Sequence, residues 1–465
     1  MFAKSGKFFA DQFKIWMPDA FVFALILTIF TALTAFFWTE SSTISIISSW
    51  YDGFWILLSF GMQMVLILAT GFAIVLSPPV SKLIERLATK VKSPDRVYLL
   101  TIIFGGLVTL VSWGWLVLTA VLARELAKRV KGVDYAYLVA CVFISSSVWV
   151  CGLSSSIPLL LNTPDNFLIK AGLLDDIIPT SYTLLSPLNI TLMCLYLIAT
   201  PVIMWLLRPR QGTVVEMNAM KNTLETENNQ TVAQEAHGMI LEKPTVSDRL
   251  NNSVLLQLVI VLMGAYYIVI YFAESGFNLN LNIMIFSFLI LGMAVHRTPM
   301  RYAVAMKRAC ANISGIVFQY PFYAGIMGIM MGTGLGDIMA NNMSEMVTQD
   351  TLPLASYFLG ALVNFSIPSA GGEWAVLGAP LVESARALGA TLAPEQMQAY
   401  IARIAMAVAY GETLTNLIQP FFLLIILPVM GKGLKIQARD LMGYLFLPFL
   451  FFFTITPILI MVFPW

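Results

Sequence analysis

Two short polar stretches carry the residues that could do chemistry in an otherwise apolar sequence. They are Asn364-Phe-Ser-Ile-Pro-Ser-Ala-Gly-Gly-Glu-Trp374 and Gly411-Glu-Thr-Leu-Thr-Asn-Leu-Ile-Gln-Pro420. In a bilayer, unsatisfied backbone groups are costly, so such polar interruptions are kept only where they line a site or cavity. Pro420 removes a backbone donor and clashes with the preceding turn, which predicts a helix broken in the middle. The first stretch predicts the tip of a hairpin that enters the membrane and turns back.

The hairpin tip has the composition of an anion site. Small residues there leave backbone amides free, and the adjoining helix start offers a positive dipole end that favours a carboxylate. The alternative is a helix-packing turn without a ligand. The substrate-binding residues predicted in this stretch are Asn364, Ser369, Ala370, Gly371 and Gly372.

The predicted helix break supplies hydroxyl and amide oxygens from Thr413, Thr415 and Asn416. With the carbonyls that a break frees, these oxygens suit either a substrate carboxylate or a bare sodium ion. The alternative is that the hydroxyls bond back to their own helix. The first half of the chain has a matching stretch, Cys151-Gly-Leu-Ser-Ser-Ser-Ile-Pro158, although serine runs also serve close helix packing. Its candidate substrate-binding residues are Ser154, Ser155 and Ser156.

Ionisable residues inside apolar runs are expensive and therefore indicate function. Glu412 is the deepest of them, and Glu373 lies beside the hairpin tip. Glu412 could bind a cation or carry a proton, and the alternative is a glutamate at the mouth of a water-filled cavity. The candidate residues for a coupling ion are Glu412, Asn416, Ser112 and Gly114.

Composition predicts an all-α polytopic membrane protein. The 465 residues are 58% hydrophobic and 11% charged, with a mean hydropathy of +0.80. Four cysteines without close pairing and two histidines argue against a metal site and against an enzyme. A net charge of +1 gives no reason to expect nucleic acid as a partner. Apolar runs lie near residues 16–38, 53–77, 97–126, 135–160, 184–207, 252–273, 279–295, 310–333, 353–390, 398–428 and 440–463.

The distribution of lysine and arginine predicts which runs cross the membrane. Basic residues lie on both sides of run 97–126, so both flanks look cytoplasmic, and the run is predicted to turn near Ser112-Trp113-Gly114. Both flanks of run 353–390 look external, which predicts a second hairpin. A topology of nine crossings and two hairpins, with the N-terminus in the cytoplasm, places all basic residues on the cytoplasmic side or its boundary except Lys170, Arg386 and Arg403.

The two halves of the chain look like a repeat. An offset of 255 positions aligns the hairpin runs, and an offset of 262 aligns Ser154 with Asn416 and Pro158 with Pro420. Each half then contains two helices, a hairpin, a broken helix and a helix, and one extra crossing inverts the second half, as in secondary transporters. The predicted organisation is a first repeat over 1–208, a polar cytoplasmic linker over 209–250, a linking helix over 251–274 and a second, inverted repeat over 275–465.

These motifs resemble the bacterial short-chain fatty acid transporter family. The opening Trp16-Met-Pro-Asp-Ala-Phe-Val-Phe23 and the two polar stretches carry the resemblance, which covers nearly the whole chain. It implies an inner-membrane permease for small monocarboxylates such as acetoacetate and butyrate, distantly similar to ion-coupled anion transporters with paired re-entrant hairpins. In such relatives the hairpin tips and helix breaks form the substrate and cation sites. The first tip, Ser112 to Trp115, lacks the Pro-Ser-small-Gly pattern, which argues against symmetrical sodium sites.

We therefore expect a secondary active transporter that imports short-chain fatty acid anions with a cation by alternating access. Sodium is favoured because uncharged oxygens outnumber carboxylates, while Glu412 keeps proton coupling open. The same scaffold could carry another organic anion such as a C4 dicarboxylate, although the site lacks an arginine to clamp it. A passive channel is a further alternative. The resemblance implies a multi-pass protein of the bacterial inner membrane, with no cofactor other than sodium, and relatives of this design are often homodimers.

Overall fold

The computed structural model describes residues 20–209, 214–220, 231–240, 245–311, 314–365, 367, 369–418, 426, 429–431, 434–436 and 439–463. The regular elements in this part of the chain are helices, so the all-α prediction is confirmed. Some residues of the predicted motifs lie outside the described residues. They are most of the opening motif, Ser366 and Pro368 of the hairpin stretch, and Pro420, where a helix break was predicted.

Over residues 20–209, which the structure describes, the first half has ten α-helices. They are α1 (Ala20–Trp38), α2 (Thr43–Gly53), α3 (Leu58–Val75), α4 (Pro78–Lys90), α5 (Pro94–Val111), α6 (Leu116–Arg129), α7 (Tyr135–Ser145), α8 (Ser156–Leu161), α9 (Phe167–Lys170) and α10 (Pro187–Leu207). Two short 3₁₀ helices, Trp113–Trp115 and Ser146–Cys151, lie between them.

The linker and second half continue the series. Their helices are α11 (Val232–Gly238), α12 (Val246–Asn251), α13 (Val254–Ser275), α14 (Leu281–His296), α15 (Pro299–Cys310), α16 (Ser314–Gly332), α17 (Leu335–Met346), α18 (Leu352–Val363), α19 (Ala370–Leu388), α20 (Pro394–Thr415) and α21 (Arg439–Val462).

Local sequence sets where many of these helices begin. Asp134 caps α7 by accepting a hydrogen bond from the Tyr137 N–H at 2.9 Å. Asn280 caps α14 by accepting one from the Ile283 N–H at 3.1 Å. Proline occupies the first turn of α4, α5, α10, α15, α18 and α20, where its missing N–H costs nothing. Most boundaries therefore fall close to those of the predicted apolar runs.

Several helices are suited to a bilayer. In the described residues, six helical stretches are long and apolar enough to cross it: Thr43–Val75, Pro94–Val111, Tyr135–Leu161, Pro187–Leu207, Val246–Ser275 and Asp440–Val462. Helix α13 exposes apolar side chains along most of its length, which is typical of a lipid-facing helix. A multi-pass membrane protein is thereby supported, and the count of nine crossings stays a prediction.

The predicted run 53–77 has a different form in the structure. Helix α2 already starts at Thr43, and turns over residues 54–57 separate it from α3. At Gly53, α2 crosses α16 so closely that a Cβ atom would lie 2.7 Å from the Gly328 Cα atom. The predicted run therefore covers two features: the end of α2, which packs against α16, and the separate helix α3. Hydropathy alone does not show the boundary between them.

Both predicted hairpin runs contain a turn between two contacting helices, but in the second run the predicted tip, residues 369–372, forms the cap and first turn of α19, and the chain turns just before it. Helices α5 and α6 contact each other across a turn at Ser112–Trp115, and α18 and α19 contact each other across residues 364–369. The 255-residue offset places Ser112 opposite Ile367, so the two turns correspond. Helix α5, with 18 residues, is itself long enough to span a bilayer, and the re-entrant and inverted arrangement stays a prediction.

The first predicted helix break is also present. Helix α7 passes into the 3₁₀ helix Ser146–Cys151, the chain is extended at Gly152, and α8 begins at Ser156. Gly152 lies directly against the Leu110 carbonyl of α5, where a Cβ atom would overlap the backbone. In the second half, α20 ends at Thr415 and is followed by a turn to Ile418.

Two amphipathic helices, α4 and α15, were not predicted. Each follows an apolar helix and begins with proline, and α15 carries Lys307 and Arg308 in its last turn. Helix α4 contacts α6, and α15 contacts α3. Helix α11 of the polar linker packs on α15, where Glu235 accepts a hydrogen bond from Arg308 Nε at 2.8 Å.

Candidate functional site

The second hairpin is held against α20 by close backbone packing. Gly411 lies so near α18 that a Cβ atom there would overlap the Tyr357 carbonyl oxygen and lie 2.9 Å from the Ala361 amide nitrogen. A Cβ atom at Gly360 would lie 2.6 Å from the Val408 carbonyl oxygen. Small residues are what allow two membrane helices to approach this closely. The contact brings the end of α18, and with it the hairpin turn, beside the end of α20.

Asn364 forms the centre of the resulting polar cluster. Its side chain is fully buried, and its Nδ2 group lies 3.1 Å from the Glu412 carbonyl oxygen, 2.8 Å from Thr415 Oγ1 and 2.8 Å from Asn416 Oδ1. The hairpin turn and the end of α20 are therefore joined through one side-chain amide. The sequence predicted that these residues share a site, and the structure brings them into contact.

Glu412 is buried and well supplied with donors. Asn416 Nδ2 donates to Glu412 Oε1 at 3.0 Å, and Thr413 Oγ1 donates to Glu412 Oε2 at 3.0 Å. Thr415 Oγ1 instead contacts the backbone of its own helix, 3.0 Å from the Glu412 carbonyl oxygen. For Thr415 the alternative of a hydroxyl bonding back to its helix is thus realised, although it also accepts from Asn364.

The start of α19 is capped and enclosed by aromatic rings. Ser369 Oγ accepts from the Gly372 N–H at 3.4 Å and lies 3.1 Å from the Tyr320 hydroxyl of α16. A Cβ atom at Gly371 would lie 2.7 Å from the Phe60 ring, and one at Gly372 would lie 3.0 Å from the Tyr323 ring. The tip is therefore closed over by an apolar wall, and Ala370, Gly371 and Gly372 are buried.

If the anion expected from the sequence binds at this helix start, replacing Tyr320 by phenylalanine should raise its apparent KM about 2- to 13-fold. The change removes the Tyr320 hydroxyl that contacts Ser369 and keeps the aromatic ring. A single hydrogen bond contributes about 0.5–1.5 kcal/mol. Uptake kinetics in proteoliposomes measure this change. Tyr51→Phe, at an exposed tyrosine of α2, is the matched control, and an unchanged KM in Tyr320→Phe would contradict a role for this hydroxyl at the site.

Glu373 is a site residue whose environment the sequence did not indicate. Its side chain is fully buried at the first turn of α19. Among the residues that the structure describes, neither of its carboxylate oxygens has a hydrogen-bond partner. A Cβ atom at Gly360 would lie 3.1 Å from Glu373 Oε1, which places this carboxyl at the crossing of α18 and α20. Its charge within an apolar run was the available signal.

The first-half candidates form a second group. The Trp113 N–H donates to Ser154 Oγ at 2.9 Å, and the Leu153 N–H donates to the Leu110 carbonyl oxygen at 2.6 Å. The first hairpin turn is thus bonded to the first helix break, as the second turn is bonded to the end of α20. Ser112 and Gly114 are buried at this turn beside α3, which the short helix Trp113–Trp115 contacts.

The remaining two serine candidates lie where the first break meets the second half. Ser155 is buried, and Ser156 is partly buried at the start of α8. Helix α8 contacts both α19 and α20. The structure therefore places the first break against the helices that carry the second polar cluster.

A buried hydrogen-bond chain also links the two halves. Asn189 of α10 donates to the Cys151 carbonyl oxygen at 3.2 Å, and Tyr410 of α20 donates to Asn189 Oδ1 at 2.9 Å. Sequence reasoning missed both side chains, although each is a polar residue in an apolar run. They connect the first helix break to α20 at a point two residues before Glu412.

Comparisons with known proteins agree over nearly the whole chain. A family model described as short chain fatty acid transporter matches residues 1–464. Two curated relatives carry the provisional name short-chain fatty acid transporter. The chain is 37% identical over 453 residues to the one from Escherichia coli (strain K12), covering 97% of each chain. It is 33% identical over 449 residues to the one from Haemophilus influenzae (strain ATCC 51907 / DSM 11121 / KW20 / Rd), covering 96% of each.

A solved structure has a similar fold. The YdaH transporter of Alcanivorax borkumensis, whose crystal structure is described as revealing an unusual topology, aligns with a TM-score of 0.53 at 18% sequence identity. The alignment covers 96% of this chain and 98% of that one. At this identity the similarity concerns the arrangement of the helices.

Proposed function

Because the chain belongs to the short-chain fatty acid transporter family, we propose that it imports anions such as acetoacetate and butyrate together with a cation by alternating access. It is a multi-pass membrane transporter and not an enzyme. The observation that carries the proposal is the Asn364 cluster, which joins a hairpin turn to a helix end beside the capped start of α19.

The start of α19 is the proposed site for the substrate carboxylate. Backbone amides of its first turn and the hydroxyls of Ser369 and Tyr320 supply donors, and the helix dipole favours the negative charge. The rings of Phe60 and Tyr323 supply an apolar wall for a short acyl chain.

The charges near these helices support a monocarboxylate over a dicarboxylate. Arg386 of α19 pairs with Asp175 at 3.0 Å, and Arg403 of α20 donates to the Ile460 carbonyl oxygen. Both guanidinium groups therefore have partners of their own. A second substrate carboxylate would be buried without a cation, which is expensive in an apolar site.

Transport of an anion into an inside-negative cell needs a coupling cation. The membrane potential opposes it by about 2.3 kcal/mol per charge per 100 mV. We propose sodium, bound by oxygens of Thr413, Thr415 and Asn416 after their present hydrogen bonds rearrange. The buried carboxyls Glu412 and Glu373 favour protons as a second candidate.

The proposed cycle moves the two hairpins and their bonded helix ends against the outer helices. Each turn is hydrogen-bonded to a break or helix end in its own half, so each pair can move as a unit. The protein would lie in the bacterial inner membrane with its N-terminus in the cytoplasm. A homodimer through the outer helices is part of the proposal, since relatives of this design are often dimers.

Uptake of labelled butyrate into proteoliposomes tests this function. Inward sodium and proton gradients are imposed separately, with unlabelled acetoacetate or succinate as competitor and protein-free liposomes as the control. Saturable, gradient-stimulated uptake that acetoacetate inhibits and succinate does not is the expected result. Uptake that rises linearly with butyrate concentration would indicate a channel. Inhibition by succinate but not by acetoacetate would indicate a dicarboxylate transporter.

A further inference from the structure

Glu373 is the buried carboxyl that the site leaves unsatisfied. Its side chain is 0% exposed, and both oxygens are without a hydrogen-bond donor in the described part of the chain. Glu412, equally buried, has two donors from Asn416 and Thr413. An ionised carboxylate buried without donors is strongly unfavourable, so burial selects the neutral, protonated form. The two glutamates of the site are therefore in opposite situations.

No cation in the described surroundings offsets the charge of an ionised Glu373. Helices α8, α16, α17, α18 and α20 contact α19. Glu412 of α20 is a second carboxyl and so offers no positive charge, and Arg403 of that helix is engaged with the Ile460 carbonyl. The other ionisable side chains of these helices and of α19 itself are Tyr320, Tyr323, Asp337, Glu345, Tyr357, Glu383, Arg386, Glu395, Tyr400 and Tyr410.

The position of Glu373 relates it to the substrate. It follows Gly372 directly, and its backbone N–H donates to the Ser369 carbonyl oxygen at 2.7 Å, within the turn proposed to hold the substrate carboxylate. A negative charge at Glu373 would repel that carboxylate and compete with it for the positive end of the α19 dipole. The neutral form has no such effect. Substrate binding and protonation of Glu373 should therefore favour each other, since linkage between two sites is reciprocal.

We infer that Glu373 binds one proton together with each substrate anion and releases it on the cytoplasmic side, so that transport is coupled to protons at this residue. This inference rests on the proposed function. The carboxylate takes a proton from external water, the anion binds beside the neutral acid, and both leave after the site opens inward. No covalent bond of the substrate changes. The proton at Glu373 would be transported in addition to a sodium ion at the end of α20, and not in its place.

Glu373→Gln separates proton coupling from substrate binding. Glutamine resembles the protonated acid and cannot release a proton. In the wild-type protein, apparent affinity for butyrate is expected to weaken with rising pH by about 10-fold per unit, the limit for one linked proton. In Glu373→Gln the affinity should not change with pH. The variant should keep butyrate exchange across the membrane at zero gradient and show no more accumulation under a proton gradient than protein-free liposomes do.

Exchange of labelled butyrate between equal pools serves as the internal reference. No exchange in the wild-type protein would refute the proposed function itself. Exchange in Glu373→Gln together with wild-type proton-driven accumulation would overturn the inference and leave the function intact. If Glu373→Gln fails to exchange, Glu373→Asp decides, since it should restore exchange and pH dependence, and a pH-independent Glu373→Asp would also overturn it. Glu395→Gln, at an exposed carboxylate in the first turn of α20, is the control and should behave as wild type.

Discussion

Butyrate uptake is expected to fall roughly 100-fold when Asn364 is replaced by alanine. The substitution removes the amide that contacts Glu412, Thr415 and Asn416, and it leaves their buried oxygens without this donor. Each buried polar group left unsatisfied costs about 1–3 kcal/mol. A loss of about 3 kcal/mol at the joined turn and helix end corresponds to roughly 100-fold, since about 1.4 kcal/mol is tenfold. Initial uptake rates in proteoliposomes measure the effect.

Ser356→Ala is the matched control for Asn364→Ala. Ser356 is also fully buried on α18, but its hydroxyl donates only within its own helix, to the Leu352 carbonyl oxygen at 2.8 Å. Its removal should change uptake less than about threefold, since a hydrogen bond within one helix is lost and no contact of the polar cluster changes. Equal uptake by both variants would show that the cluster does not position the transport site.

The largest effect on stability is expected from Gly411→Ala. The added methyl group would overlap the Tyr357 carbonyl oxygen and press on the Ala361 amide, and neither backbone atom can rotate away as a side chain would. Overpacking costs about 1–3 kcal/mol, and a contact with backbone on both helices belongs at the upper end of this range. Thermal unfolding in detergent, followed by tryptophan fluorescence, should show a clearly lowered midpoint with lost uptake.

Gly238→Ala provides the comparison for this substitution. Gly238 ends α11, and a Cβ atom there would meet nothing within 4 Å. Its variant should unfold at the wild-type temperature or slightly above it, since alanine favours helix. Should Gly411→Ala also unfold at the wild-type temperature, α18 and α20 would not be packed backbone to backbone.

Charge and polarity were sufficient to predict the helix pairs and the first break. The lysines and arginines around run 97–126 indicated a turn at Ser112, and the structure turns there. The serine run before Pro158 indicated a break, and α8 starts at Ser156. These features depend on a few neighbouring residues and on the solvent, so a linear reading of the sequence captures them.

Contacts between distant residues were beyond such a reading. That Asn364 reaches Asn416, 52 positions away, depends on the glycine contacts that set the crossing of α18 and α20. Tyr320 reaches Ser369 because α16 packs on α19. Glu373 stands out in the sequence as a charge, but its lack of donors within the described residues follows from the packing of α18, α19 and α20. Residue types therefore indicated the site, while its hydrogen-bond pattern required the fold.

The amphipathic helices α4 and α15 would help to fix how deeply the protein sits in its membrane. Under the predicted topology both lie on the cytoplasmic side, where the exposed Lys82 and Lys307 can meet anionic headgroups while buried apolar residues pack on the protein. Helix α15 contacts α3 and α14, so an attraction to the lipid surface would hold this scaffold at one level. The hairpins would then move relative to a frame fixed by the lipids, and bilayer thickness would determine how far the site must travel.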